Sequence, residues 1–339
     1  MRPTVHDIAK VAGVSLATVD RVLNARPGVR EATIRRVHQA IDSLGYVRDV
    51  AAANLARGRT YALVFVIPEG QNAFLETIRA EIADAGVRAS AERASIRLIT
   101  VPSFDANAYA RTLAGLENID GVALIAPETP QVRDAINRLK QRGVAVVALV
   151  SDLPGSARDH FIGINNIAAG KTAGRLMGRF LGPAAGPILV LAGSMLARDH
   201  VERRLGFDAV MARDFPSLRV LPSIEGRDDA EIVLRLLPPV LDAHPDLCGI
   251  YSLGAGNRGL IHLLEQRGLA RKMTVVAHEL TPLARAALLS GTFDAVITQD
   301  VGHIIRSAVR VLRAKSDAMA INLAQERIRI DICLAENLL

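Results

Sequence analysis

A chain of 339 residues, half of them apolar and 22% charged, is too long for a minidomain and too rich in core-forming residues for extended disorder or a collagen-like repeat. At roughly 150 residues per domain it suits one small unit joined to a large or bilobal one. The formal net charge is +6, and ten Lys/Arg against five acids fall within residues 1 to 60, which leaves the rest close to neutral and predicts a polyanion footprint on the head alone.

No apolar run approaches the roughly 20 residues that cross a bilayer. The opening MRPTVHDIAK carries charges where a signal peptide has its apolar stretch, so a cytoplasmic protein without a membrane partner is expected. Cys248 and Cys333 show no CxxC spacing and read as small core residues.

The first 45 residues predict three short helices. Thr4 and Asp7 make a capping-box-like start in which hydroxyl and carboxylate take orphan backbone donors, and Ile8, Val11 and Ala12 form one apolar stripe. Ala12-Gly13-Val14 breaks the pattern. Ser15 caps a second helix with Val19, Val22 and Leu23 inward, and Asn24 to Gly28 turns. Ile34, Val37, Ile41 and Leu44 then recur at helical spacing until Gly45 supplies a left-handed C-cap. Residues 4 to 24, with AGVS at the corner, have helix-turn-helix spacing, and such a motif puts the start of its second helix at base edges in the major groove. Leu16 and Ala17 are then candidates for thymine methyls and Arg21 for guanine. The alternative is that Leu16 and Ala17 pack within the bundle.

Residues 46 to 59, YVRDVAAANLARGR, form an alanine-rich linker able to make one short helix but lacking an apolar face. Beyond it, apolar runs at 62 to 68, 96 to 101, 121 to 126 and 144 to 150 alternate with amphipathic stretches, and a second series follows at 187 to 193, 218 to 224, 248 to 253, 273 to 279 and 294 to 299. The alternation predicts an α/β protein with parallel sheets in two lobes. The expected divisions are 1–46 for the head, 47–60 for the linker and 61–339 for the two-lobed unit.

Ligands of open parallel sheets bind beyond the carboxyl ends of the strands, which nominates Asn72, Phe74, Glu128, Ser151, Asp152, Arg203, Asn257, Glu279 and Gln299. Carboxylates, amides and one guanidinium around an aromatic face suit a hydroxyl-rich neutral ligand, whose hydroxyls both donate and accept. Each of these residues is equally readable as loop polarity or a strand-end cap, and Asn165 and Asn166 as caps of the helix near Ala168.

A rival motif is Gly254-Ala255-Gly256-Asn257-Arg258-Gly259 after a strand, with Glu279 ending the next one, a dinucleotide fingerprint on paper. It would make the protein an NAD-responsive regulator or an oxidoreductase, but it lies in the second lobe rather than on the first βαβ unit. The eight histidines show no HExxH spacing, and there is no GxSxG elbow or Walker loop. His278 and Glu279 adjoin, yet neighbouring strand residues face opposite ways. No enzyme, metal or cofactor is expected.

The string T-V-x-D-I-A-x-x-A-G-V-S-x-x-T-V-x-R-V-L-N, then V-R-x-x-T-x-x-R-V and A-I-x-x-L-G-Y, resembles the head of the lactose-repressor/galactose-repressor family. D-G-V-A-L-I-A, G-I-N-N-x-x-A-G, E-R-R-L-G-F and the terminal E-N-L resemble its periplasmic-binding-protein-like effector domain, so the resemblance covers nearly the whole chain. It implies a homodimeric repressor on a pseudo-palindromic double-stranded operator, controlled by a small effector, a sugar or polyol. It also implies a hinge helix whose Leu55 wedges into a central minor-groove step, with Ala52 beside it. Thr4, Ser15, Thr18, Asp20, Asn24, Thr33 and Tyr46 complete the DNA-contacting set, and Arg203, Glu279 and Gln299 match ligand positions. A chain stopping at Leu339, just past E-N-L, lacks the family's tetramerising tail and is expected to stay dimeric. Asp20 stands where the family has Ser, Arg48 and Asp49 replace Pro-Asn, Glu279 replaces Asp, and Ser151 takes a position often held by Asp. The operator and the best-known sugars are therefore not transferable.

Overall fold

The computed structural model describes residues 3–23, 26–46, 58–70, 72–91, 93–182, 186–254 and 256–338. Contacts divide the chain into two compact units, Met1–Arg59 and Thr60–Leu339.

In the first unit, α1 (Val5–Ala12), α2 (Leu16–Leu23) and α3 (Glu31–Leu44) enclose Ile8, Ala9, Ala12, Val19, Val37 and Ala40. Gly13 and Gly45 end α1 and α3 with φ of 61° and 60°, left-handed values that glycine reaches without a Cβ clash. The Asp7 carboxylate accepts from both Thr4 N and Thr4 Oγ1 at 2.8 Å, part of a capping box between Thr4 and Asp7 that starts α1. Val11 is 55% exposed; the buried stripe of α1 runs through Ile8, Ala9 and Ala12 instead.

The second unit holds β1 (Tyr61–Pro68), α4 (Ala73–Ala91), β2 (Ala94–Val101), α5 (Ala106–Ala114), β3 (Gly121–Leu124), α6 (Pro130–Gln141), β4 (Ala145–Leu149), β5 (His160–Ile162) and α7 (Asn166–Leu181). It continues with β6 (Ile188–Ala192), α8 (Arg198–Asp214), β7 (Val220–Glu225), α9 (Ala230–Ala243), β8 (Gly249–Ser252), α10 (Asn257–Gln266), β9 (Thr274–His278), α11 (Pro282–Ser290), β10 (Ala295–Thr298), α12 (Val301–Ser316) and β11 (Asp331–Cys333).

Two sheets result, ordered β2-β1-β3-β4-β5 and β11-β10-β9-β8-β6-β7, parallel except for β11 against β10. Read from β7, the second sheet repeats the 2-1-3-4-5 order of the first. In each lobe the order reverses beside the first strand, the switch point where α/β sheets hold ligands. Strands β3, β4, β6 and β8 are buried at every residue, because helices cover both faces of a parallel sheet.

The chain crosses between lobes three times. After β5, α7 packs on β8, β9 and β10; after β10, α12 returns to β3, β4 and β5; β11 then pairs with β10. Helices α7 and α8 meet in backbone contact, since a Cβ on Gly170 would lie 1.9 Å from Arg203 O and one on Gly206 2.1 Å from Ile167 O. That approach fixes the turn of α8 carrying Arg203. Cys248 and Cys333 are half-buried, each packed on the edge of a core. Among the described residues no helix is long and apolar enough to cross a membrane.

Candidate functional site

Between the lobes lies a cavity of about 610 Å³, lined by the ends of β1, β3 and β4 on one side and by the segments after β6, β7, β8 and β9 on the other. Arg203 is its buried centre. Its Nε donates to Asn166 Oδ1 at 2.9 Å, Nη1 to Leu253 O at 2.7 Å and Nη2 to Glu279 Oε1 at 3.1 Å. Asn166 in turn donates to Val150 O at 3.1 Å, tying the guanidinium to the first lobe. Asn165 is the cap of α7, accepting from Ala168 N at 2.9 Å.

Glu279 shares Oε1 with Gln299 Nε2 at 2.9 Å, while Oε2 is buried without a partner among the described residues. Burial pushes this carboxyl above its ordinary value, opposed by the neighbouring Arg203 charge. Val150 and Glu279 each follow the fourth strand of their lobe with φ of 62° and 64°. For a β-branched residue such a φ is strained, and strain of this kind gathers at binding sites.

Six of the nine nominated positions line the cavity: Asn72, Phe74, Ser151, Arg203, Asn257 and Glu279. Gln299 stands behind Glu279. Glu128 and Asp152 are not on its wall: Glu128 pairs with Arg198 across the lobes at 2.6 Å, and Asp152 takes the Arg158 guanidinium. Sequence reasoning missed Asp199, His200 and Asp228. They follow β6 and β7, where the same strand-end rule would have found them. Asn72 Nδ2 donates to Asp228 Oδ2 at 3.1 Å, a second bridge between lobes, and Asp199 N donates to Ser151 Oγ at 3.3 Å, a third.

The glycines of the fingerprint are accounted for by packing. A Cβ on Gly254 would approach Arg203 Nη1 at 3.2 Å, one on Gly256 would meet Val233 Cγ2 at 2.6 Å, and one on Gly259 would meet Ala230 O at 2.7 Å. They seat α10 against α9 and leave room for the guanidinium.

On the head, Ser15 Oγ accepts from Thr18 N at 3.2 Å and starts α2. Leu16 is 42% exposed, and Ala17, Asp20 and Arg21 are exposed with it, while Val19 on the opposite side is sealed. Leu16 and Ala17 therefore do not serve the head core. Thr18, Thr33 and Tyr46 are half-buried, and Thr4 caps α1. Asp20 pairs with Arg26 at 3.3 Å. Asn24, Arg48, Asp49, Ala52 and Leu55 lie outside the described residues, as does most of the linker.

A sequence profile described as periplasmic binding protein domain matches residues 63–318, and one described as bacterial regulatory proteins, lacI family, matches residues 4–49. Catabolite control protein A of Priestia megaterium is 37% identical over 84 residues, 25% of each chain; the HTH-type transcriptional regulator IdnR of Escherichia coli (strain K12) is 26% identical over 273 residues, 79% of each. The relatives are transcriptional regulators, not enzymes. An ABC-transporter solute-binding protein from Burkholderia graminis C4D1M, in complex with D-arabinose, shares the fold with a TM-score of 0.73 and 23% identity, over 82% of this chain and 96% of that one.

Proposed function

The chain belongs to the lacI family of bacterial regulatory proteins and carries a periplasmic-binding-protein domain, and from that premise we propose that it is a homodimeric repressor of a pseudo-palindromic operator whose affinity a small sugar or polyol controls. Residues 1–46 bind DNA, 47–60 form the hinge with Leu55 as minor-groove wedge, and 61–339 bind effector and dimerise. The observation carrying the regulatory reading is that a chain with an exposed helix-turn-helix face also holds an interlobe cavity walled by buried polar groups. Leu16, Ala17 and Arg21 read base edges. Thr4, Ser15, Thr18, Asn24, Thr33 and Tyr46 hold phosphates.

Asn72, Phe74, Ser151, Arg203, Asn257 and Glu279 form the effector wall, with Gln299 positioning Glu279. Control is linkage: effector changes the lobe arrangement, and the hinges lose or gain their pairing. A coupling of about 1 to 3 kcal/mol shifts affinity about 5- to 150-fold. Fluorescence anisotropy on fragments of the protein's own promoter region tests this. Affinity should fall on the order of 10³ to 10⁵ between about 50 and 200 mM salt if about six to ten phosphates are neutralised. Failure to bind any such fragment would overturn it.

A further inference from the structure

The cavity wall is more acidic than a neutral polyol requires. Among its charged linings that are buried or half-buried, three are carboxylates, Asp199, Asp228 and Glu279, and one is a guanidinium, Arg203. The guanidinium is committed, with donors on Asn166, Leu253 and Glu279. Asp228 Oδ1 and Glu279 Oε2 are both buried without a partner among the described residues. Arg227 and Arg258 also line the cavity, but both are exposed.

His200 sits among these acids: its Nδ1 accepts from Gly193 N at 3.2 Å and Ser194 N at 3.3 Å, and its Nε2 lies 3.7 Å from Asp199 Oδ2. Among the described residues no three His, Cys, Asp or Glu groups gather as a metal-binding cluster. Phe74, Phe104 and Tyr109 also line the cavity from the first lobe, and aromatic rings are compatible with a cation nearby.

We propose that the effector is an amine-bearing sugar or polyol whose protonated amino group docks on Asp228 Oδ1 and Asp199, its hydroxyls going to Glu279 and Asn257. This rests on the polyol-effector reading and narrows it. A hydroxyl supplies one donor and no charge, whereas an ammonium supplies three donors and a positive charge to set against the more numerous carboxylates. Asp228 thereby becomes the residue that sets specificity: it lines the cavity, its Oδ2 is held by Asn72, and its Oδ1 has no partner among the described residues.

The test uses the full chain and matched probes: glucose with glucosamine, galactose with galactosamine, and pentaerythritol with its amino counterpart Tris, by calorimetry and thermal shift at slightly acidic pH. At least one amino member should bind on the order of tenfold tighter than its neutral partner. Asp228→Asn, which keeps the shape and removes the charge, should abolish that preference while raising the melting temperature of the free protein. Equal or tighter binding of the neutral members overturns the proposal and leaves the polyol reading standing. A preference that survives Asp228→Asn overturns the docking site, and no response from either set overturns both readings.

Discussion

Arg203 and Glu279 meet at 3.1 Å with side-chain exposures of 2% and 5%, a charge pair whose partners come from different elements of the second lobe. Removing one member leaves the other buried and uncompensated, which costs about 3 to 5 kcal/mol. Glu279→Ala should therefore destabilise the protein by that amount in urea denaturation. Glu279→Gln, which keeps an acceptor for Arg203 and Gln299 but not the charge, should lose nearly as much. A clearly smaller loss would mean that the hydrogen bonds, and not charge compensation, hold this corner.

The Glu128–Arg198 pair also joins the lobes, but its side chains are about one-third exposed. A pair this wet contributes about 0 to 1 kcal/mol, so Glu128→Ala should leave the denaturation midpoint nearly unchanged. Its effect belongs to lobe geometry: with one of the interlobe bridges gone, small-angle scattering should show a larger mean radius. An unchanged radius would show that the Asn72–Asp228 bridge and the Ser151 contact suffice to keep the lobes together.

His278 gives the fold a pH dependence of definite sign. It is fully buried with Nε2 2.8 Å from Tyr251 OH, and burial first, then the Arg203 charge, hold its pKa well below the ordinary 6.5. The unfolded chain takes up a proton near 6.5 that the folded chain refuses, so stability is full above that value and is lost as pH falls below it. The limiting slope for one proton is about 1.4 kcal/mol per pH unit. Denaturation midpoints measured downward from neutral pH should fall, and His278→Gln should flatten that fall.

How much of this was legible in sequence depended on how far each signal reaches. The runs at 62 to 68, 121 to 126 and 144 to 150 announce strands because β1, β3 and β4 are buried on both faces. His160–Ile162 and Asp331–Cys333 are three residues each with partly open side chains, so no run marked them as strands. The strand-end rule located Asn72, Ser151, Asn257 and Glu279 at the cavity. It also nominated Glu128 and Asp152, which pair with Arg198 and Arg158 off the cavity wall, partners whose proximity only the folded chain creates. Val11 failed for a local reason: a short helix over a small core buries a stripe narrower than the apolar pattern offers.

Asp20 and Arg26 supply the last prediction. Their pair is 3.3 Å long with both side chains more than half exposed, so breaking it costs the head about 0 to 1 kcal/mol. Its weight is on DNA, because Asp20 shares the exposed face of α2 with Arg21 and places a negative charge where phosphates approach. Asp20→Ala removes that repulsion and frees Arg26 from it. Binding to any duplex should tighten at low salt, and the slope of log affinity against log salt should steepen by about one. Arg21→Ala should behave differently. If Arg21 grips guanine, its loss costs about 1 to 3 kcal/mol on the operator, whereas random duplex changes little. Equal loss on operator and random sequence would make Arg21 a phosphate contact and move base reading to Leu16 and Ala17.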